Sequence, residues 1–190
     1  KFIIEALDVE HNKVCFATFT GKAAQVLAKK GNKNAMTLHR LLYDSVPRPG
    51  GGFTRIPKKS LEYTVVVVDE VSMAPKSIMD KLFSHNVYVI CLGDPFQLPP
   101  IEKDEDNHLL DHPHIFLDEI MRQAQESEII RLTMDIRDGK SLELFRGNEV
   151  QILEKKDVVS GMYLWADQIL VAKNETRRNV NHLMRKYLHD

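Results

Sequence analysis

Tyr63-Thr64-Val65-Val66-Val67-Val68-Asp69-Glu70 is the stretch on which the fold turns. A nearly pure apolar run with four consecutive valines has the pattern of a parallel strand buried on both faces, whereas a half-exposed strand would alternate. It ends abruptly in two adjacent carboxylates. Upstream, Val14 to Phe19 is rich in β-branched and aromatic residues and reads as a strand that runs into Thr20-Gly21-Lys22 and then a helix, with Gly31 as its stop. Downstream, Pro75 opens a helix over residues 76–83, and Val87 to Leu92 reads as another buried strand ending in Gly93-Asp94. Parallel strands need crossover connections, so this alternation predicts an α/β fold, a parallel sheet flanked by helices. Ligands of such sheets bind beyond the carboxyl ends of the strands. Thr20-Gly21-Lys22, Asp69-Glu70 and Gly93-Asp94-Pro95-Phe96-Gln97 all fall at those ends.

Outside this centre the signals are weaker. Phe2 to Leu7 reads as the last turns of an amphipathic helix. Met36 to Tyr43 carries leucines at 38, 41 and 42 on one short helical face. Val46 to Glu62 follows, where Pro47, Pro49 and three consecutive glycines break regular structure and allow a small hairpin. Gln125 to Asp138 has helix-like spacing and is closed by Gly139. A domain boundary is expected near residues 139–150, dividing 1–145 from 146–190. Beyond it Gln168 to Ala172 reads as a strand, followed by a helix with Val180, Leu183, Met184, Tyr187 and Leu188 on one stripe.

A chain of 190 residues can bury one full core and begin a second. With a formal net charge of -1 there is no global basic signature, so any polyanion site must be local. Cys15 and Cys91 lie inside apolar runs with no cysteine at ligand spacing, which predicts buried, reduced thiols and fits a cytoplasmic protein. There is no apolar stretch of roughly 18 residues and no basic, apolar, small-residue order at the N-terminal end, so neither a membrane span nor an export signal is expected. His108, His112 and His114 match no ligand pattern and read as ordinary loop histidines, and Trp165 reads as core.

Three loops carry chemistry. At Asp69-Glu70 one carboxylate can hold Mg²⁺ through its water shell while its neighbour orients or deprotonates a water; the competing reading is that they end the strand and cap the next helix, as Ser72 also could. Gly93 to Pro100 forms a tight turn that brings the neutral amide of Gln97 beside those acids, able to bond a terminal phosphate and an attacking water. Arg122 precedes a helix and can reach a transferring phosphate as a finger, or pair with Glu119 or Glu126 on the surface. Thr20-Gly21-Lys22 opens a helix, where amides, a hydroxyl and an ammonium meet one phosphate, either of ATP or of a DNA backbone. Thr37, His39 and Arg40 add further contacts, and Arg48, Arg55, Lys58 and Lys59 make the insertion basic.

In this order the stretches resemble superfamily 1B DNA helicases of the RecD-like kind. Thr20 to Ala24 is similar to motif Ia, Thr37 to Leu42 to the next DNA-contacting motif, and Val68-Asp69-Glu70-Val71-Ser72-Met73 to motif II, the Walker B element. Gly93 to Pro100 resembles motif III, Leu117 to Arg122 motif IV, and Ile169 to Asn174 the opening strand of a second motor domain. The resemblance implies a RecA-like P-loop NTPase domain at 1–145 with the start of a second RecA-like domain at 146–190, and a small strand-separating pin at 46–62. It implies ATP and Mg²⁺ as cofactors, with Asp69 holding the metal, Glu70 as catalytic base, Gln97 coupling the γ-phosphate to DNA and Arg122 contacting that phosphate. Thr20, Lys22, Thr37 and His39 would touch single-stranded DNA, with duplex DNA at a fork as the substrate opened and 5′ to 3′ as the direction.

One departure is large. No Gly-x-x-x-x-Gly-Lys-Ser/Thr loop occurs in the chain. The family would put it before Lys1 and its late motifs after Asp190, so the expectation is part of a longer helicase that by itself hydrolyses ATP negligibly. A helicase-derived binding or interaction module without ATPase activity, and an RNA helicase, are the alternatives.

Overall fold

The computed structural model describes residues 5–6, 8–101, 105–117 and 127–189, with side chains to 187. The chain divides into two compact units, Lys1–Leu117 and Asp118–Asp190. In the first, β1 (Val14–Thr18), β2 (Ala35–Thr37), β5 (Val65–Asp69) and β6 (Tyr88–Cys91) form one parallel sheet in the order β2-β1-β5-β6. The crossovers carry α1 (Gly21–Lys29), α2 (Leu38–Leu42) and α3 (Lys76–Phe83). A separate antiparallel hairpin, β3 (Tyr43–Pro47) with β4 (Phe53–Pro57), projects between β2 and β5 in the chain. It begins at Tyr43, three residues before the insertion expected at 46–62, and ends at Pro57; its tip is Gly50-Gly51-Gly52, all at positive φ, which a side chain would resist.

The four valines explain the architecture. Val66 and Val68 face one side of β5 and pack with Cys15 and Ala17 of β1 against Leu38, Leu41 and Leu42 of α2 and Ile78, Met79 and Leu82 of α3. Val65 and Val67 face the other side, with Val14 and the partly buried Val9, Phe16 and Ile90. The period of two along each strand sends alternate residues to opposite faces, so a strand with no polar position has to be interior. Each leucine fully buried in this way contributes roughly 1.5–3 kcal/mol relative to exposure. The helix starts follow local rules. Thr20 and Thr37 are N-caps whose hydroxyl oxygens accept from the N–H groups of Ala23 (3.3 Å) and Arg40 (3.2 Å). Gly31 follows α1 at a φ of 95°.

The second unit contains α4 (Glu128–Arg137), a short antiparallel pair β7 (Phe145–Arg146) and β8 (Gln151–Ile152), α5 (Ser160–Trp165) and α6 (Asn174–His189). The Glu128 carboxylate accepts from the N–H of Glu149 at 2.8 Å, and the Glu149 carboxylate accepts from Glu128 N–H at 2.8 Å and from Ser127 Oγ at 2.9 Å. These reciprocal caps tie α4 to the segment after β7. Among the described residues no helix is long and apolar enough to cross a membrane.

Several expectations need correction. The strand expected at 87–92 forms over Tyr88–Cys91, but it is only half-buried, with Tyr88 at 73% exposure, because β6 is the edge of the described sheet and pairs with β5 alone. For the same reason Cys91 is half-buried while Cys15 is fully enclosed. No strand forms at 168–172, where Leu170 is 83% exposed: a strand exists through its ladder, and no described strand lies alongside. Trp165 is 88% exposed and is not core, since it ends a helix of six residues with nothing packed on it among the described residues. Of the helix expected at 2–7 only Glu5 and Ala6 are described, and both are helical. The expected helix at 125–138 is described from Glu128, and the Leu117–Arg122 motif lies outside the described residues after Leu117.

Candidate nucleotide and nucleic-acid site

The register of the sheet assembles the site. Thr18 sits opposite Thr37 on one side and opposite Asp69 on the other, so the carboxyl ends of β2, β1 and β5 lie level along one edge. Neighbouring strands are about 4.8 Å apart, which puts the two Thr-led loops and the paired acids within about 10 Å along that edge. Thr18 is fully buried, and its hydroxyl donates to the Thr20 carbonyl oxygen at 2.8 Å, shaping the turn that starts α1. Thr20 and Thr37 have their oxygens engaged as helix caps, which leaves each hydroxyl its proton to donate outward. Lys22 is exposed on the first turn of α1, where the amides of Gly21 and Lys22 have no intrahelical acceptor.

Asp69 and Glu70 are half-buried. One Asp69 oxygen accepts from the Glu70 N–H at 3.1 Å, leaving its other oxygen for a ligand. Glu70 itself is held at φ 57°, ψ 46°, a left-handed conformation that costs a non-glycine residue of order 1–3 kcal/mol and tends to occur at functional sites. It leads into a 3₁₀ turn, Val71–Met73, anchored because Val71 N–H donates to the Leu92 oxygen at 3.0 Å and Leu92 N–H donates to the Val68 oxygen at 2.8 Å. Neither Asp69, Glu70 nor Ser72 caps α3. That work is done by Glu105, whose carboxylate accepts from Ser77 N–H at 2.8 Å and whose carbonyl oxygen accepts from Lys76 N–H at 2.7 Å. The Ser77 N–H accordingly holds the Glu105 carboxyl below the usual carboxylate range. The acid pair is thus released from the capping role that sequence alone left open.

Gly93 begins the next loop with no room for a side chain. A Cβ there would lie 2.9 Å from Leu110 Cδ1, 3.1 Å from Val71 Cγ1 and 3.3 Å from Val71 N. The expected tight turn is present, since the Asp94 carboxylate accepts from Phe96 N–H at 3.0 Å and the Asp94 carbonyl oxygen accepts from Gln97 N–H at 3.1 Å. Gln97 is exposed on this turn. Arg122 lies outside the described residues, so its place relative to the acids is left to experiment.

His39 joins an aromatic run that sequence reading missed. Its ring centroid is 5.7 Å from that of Phe19 and 6.2 Å from that of Tyr43, with which it is stacked. Burial, and secondly the Arg55 guanidinium, push its pKa below the ordinary histidine value and favour the neutral ring. Such a run beside Thr37 offers flat faces next to groups able to hydrogen-bond a phosphate. His39 and Tyr43 stand four residues apart, at helical spacing on α2 and its C-cap, and the crossover from β1 to β2 brings Phe19 to them.

Among the described residues no three His, Cys, Asp or Glu side chains are grouped to cage a metal. An ion such as Mg²⁺, which keeps most of its waters and takes one or two carboxylates plus substrate phosphates, is consistent with Asp69 and its half-buried neighbour Glu70. The glycine-rich phosphate cradle has no counterpart in the sequence.

The AAA_30 family, an AAA domain, matches residues 1–162. The chain belongs to that family. The whole of this chain aligns at 28% identity with 48% of R530, a protein of Acanthamoeba polyphaga mimivirus. The ATP-dependent RecD2 DNA helicase of Deinococcus radiodurans is 32% identical across 64% of the chain and 17% of its own length. RecD, a subunit of the RecBCD enzyme of Mycobacterium tuberculosis, is 32% identical across 47% of the chain and 18% of its own length. The AAA domain therefore spans about half of the first relative and less than a fifth of the two RecD proteins. A Bacteroides Pif1 structure in complex with ADP-AlF4 has a TM-score of 0.37 at 24% identity, covering 58% of the chain and 28% of that protein. The parallel sheet flanked by helices stands, and the RecD-like resemblance read from the motifs agrees with the 32% identity to RecD2 and RecD.

Proposed function

We propose that the chain is the central part of an ATP-dependent DNA helicase, a motor that moves 5′ to 3′ on single-stranded DNA and opens duplex DNA at a fork. The observation that carries this reading is the level edge of the sheet, where Thr37, Thr18 and Asp69 stand side by side and the DNA-facing and acid-bearing loops share one support. A shared support is what a motor needs, because a shift of the acid loop that senses phosphate is felt directly by the loops that hold DNA.

Asp69 would hold Mg²⁺, which when bound supplies charge neutralisation at the phosphates. Glu70 accepts a proton from the attacking water as that water bonds to the terminal phosphorus and the bond from that phosphorus to the bridging oxygen of ADP breaks, releasing ADP and phosphate; its strained turn holds the carboxylate in place for this. Gln97 hydrogen-bonds the same phosphate and reports its loss through the loop that starts at Gly93. Arg122 stabilises the charge of the transferring group. Thr20, Lys22 and Thr37 bond the DNA backbone, while His39, neutral and flanked by Phe19 and Tyr43, meets a base or sugar face. The hairpin β3–β4 serves as the pin that meets the duplex. In this assignment the first motor domain runs over 1–145, with 46–62 as the pin insertion, and a second begins at 146–190. We place the protein in the cytoplasm.

The chain by itself is expected to hydrolyse ATP negligibly, since it contains no phosphate-gripping loop. The test is DNA-stimulated ATP hydrolysis and fork unwinding by the complete natural protein, with Glu70→Gln as control and single-stranded RNA as competitor. Turnover abolished by the substitution and dependent on DNA supports the motor. Turnover indifferent to Glu70, or stimulated equally by RNA, removes the catalytic or the DNA assignment respectively.

A further inference from the structure

Asn107 lies outside the motifs at 93–100 and 117–122, yet its side chain donates two hydrogen bonds to the segment that follows the acid pair. Its Nδ2 donates to the Val71 carbonyl oxygen at 2.8 Å and to the Ala74 carbonyl oxygen at 2.7 Å, the first residue and the C-cap of the 3₁₀ turn that follows Glu70. Its Oδ1 accepts from the Leu109 N–H at 3.0 Å, closing an Asx turn in its own strand of chain. The amide orientation follows from these partners, since a flipped amide would set Oδ1 against two carbonyl oxygens. The flanking residues add to the bracket: Glu105 caps α3 two residues earlier, and Leu109 and Leu110 pack on the main core. Leu110 also closes over Gly93, at the root of the loop that presents Gln97.

We propose that Asn107 is a positioning residue for Glu70, a clip that holds the turn after the acid in its left-handed, strained entry and ties it to the loop bearing Gln97. The strain explains why a clip is needed. A left-handed glutamate persists only where its surroundings over-determine it, and the bond that the turn itself returns to Glu70 is long: Met73 N–H to the Glu70 oxygen is 3.3 Å, whereas Ala74 N–H to the Val71 oxygen is an ordinary 3.0 Å. The two carbonyls on which Asn107 acts belong to the turn and its C-cap, so loss of its donors frees that segment without removing any group that touches nucleotide. The inference rests on Glu70 being the catalytic base.

The experiment uses the complete natural protein with Asn107→Leu, of similar volume but without donors, and Asn107→Asp, which keeps the acceptor for Leu109 N–H and loses the donors. Two readouts are taken: hydrogen exchange of the peptide covering residues 70–74, and kcat and KM for ATP in the presence of DNA. The expected result in both variants is exchange at least about tenfold faster across 70–74 and kcat lowered about tenfold or more, with KM and the affinity for a non-hydrolysable ATP analogue within about twofold. Unchanged exchange overturns the clip whatever the activity. Faster exchange with unchanged kcat, while Glu70→Gln abolishes turnover, overturns the positioning role. A loss of nucleotide affinity together with a lowered melting temperature marks a general structural role and overturns it equally. If Glu70→Gln leaves turnover intact, the base assignment has failed rather than the clip, and the positioning claim falls with it even where the exchange result stands.

Discussion

Replacing Gly93 with alanine tests the closeness of the two loops that define the site. The added methyl meets Leu110 Cδ1 at 2.9 Å, Val71 Cγ1 at 3.1 Å and Val71 N at 3.3 Å. The leucine methyl is the far end of a flexible side chain, and moving it aside costs about 0.5–1.5 kcal/mol in rotamer strain. Val71 is harder to move: it is fully buried, β-branched, and its N–H is bonded to the Leu92 oxygen at 3.0 Å. Overpacking of this kind costs about 1–3 kcal/mol in total. Against that, alanine restricts the unfolded chain and contributes about 0.4–1 kcal/mol, because Gly93 is not among the residues at positive φ and its backbone suits any residue. The balance is a destabilisation of about 1 kcal/mol, or a fall in Tm of about 4 °C or more for a unit of this size. Gly21→Ala is the matched control: its Cβ meets nothing within 4 Å, so it should raise stability by a few tenths of a kcal/mol. Urea denaturation of both variants measures the difference. If Gly93→Ala were as stable as Gly21→Ala, the contact between the two loops, and with it the mechanical link from Gln97 to Glu70, would be refuted.

Glu70→Asn should raise the melting temperature by relieving the left-handed strain, by about 1 kcal/mol, while abolishing hydrolysis; Glu70→Gln should abolish hydrolysis without that gain. Equal stability of the two variants in thermal denaturation would mean the strain is not stored there. Because the His39 pKa is depressed by burial and by Arg55, its contribution to stability is present above the ordinary histidine value and is lost as the pH falls through the folded-state value. Arg55→Gln should therefore move the His39 titration upward in an NMR pH series, and an unmoved midpoint would remove Arg55 as a cause. Burial pushes the Cys15 thiol up to about 12, and its sulfur donates to the Asn34 carbonyl oxygen at 3.4 Å, whereas Cys91 is raised but half-buried. Alkylation of the folded chain near pH 8 should label Cys91 first and leave Cys15 intact until unfolding, and prior labelling of Cys15 in a peptide map would contradict the enclosed strand.

What the sequence by itself determined is what local pattern can carry. Four valines with no polar break require an interior strand, Thr-led turns require helix starts, and apolar strands that end in Asp69-Glu70 and Gly93-Asp94 require polar loops at one edge. Those signals are short-range, because each is a property of a few neighbouring residues, and they were enough to name most of the candidate site. Only the tertiary structure decided matters that depend on a distant partner. Val87 to Leu92 is as apolar as an interior strand, yet β6 is the edge of the described sheet, and the apolar run at 168–172 has no ladder to join among the described residues. Trp165 has the character of a core residue, yet nothing among the described residues buries it. Glu105 and Asn107 sit in a loop of ordinary polarity, and their roles as cap and clip appear only when residues some 30 positions away are folded against them. A hydrogen bond needs its partner within about 3 Å, and no pattern along the chain reports that distance.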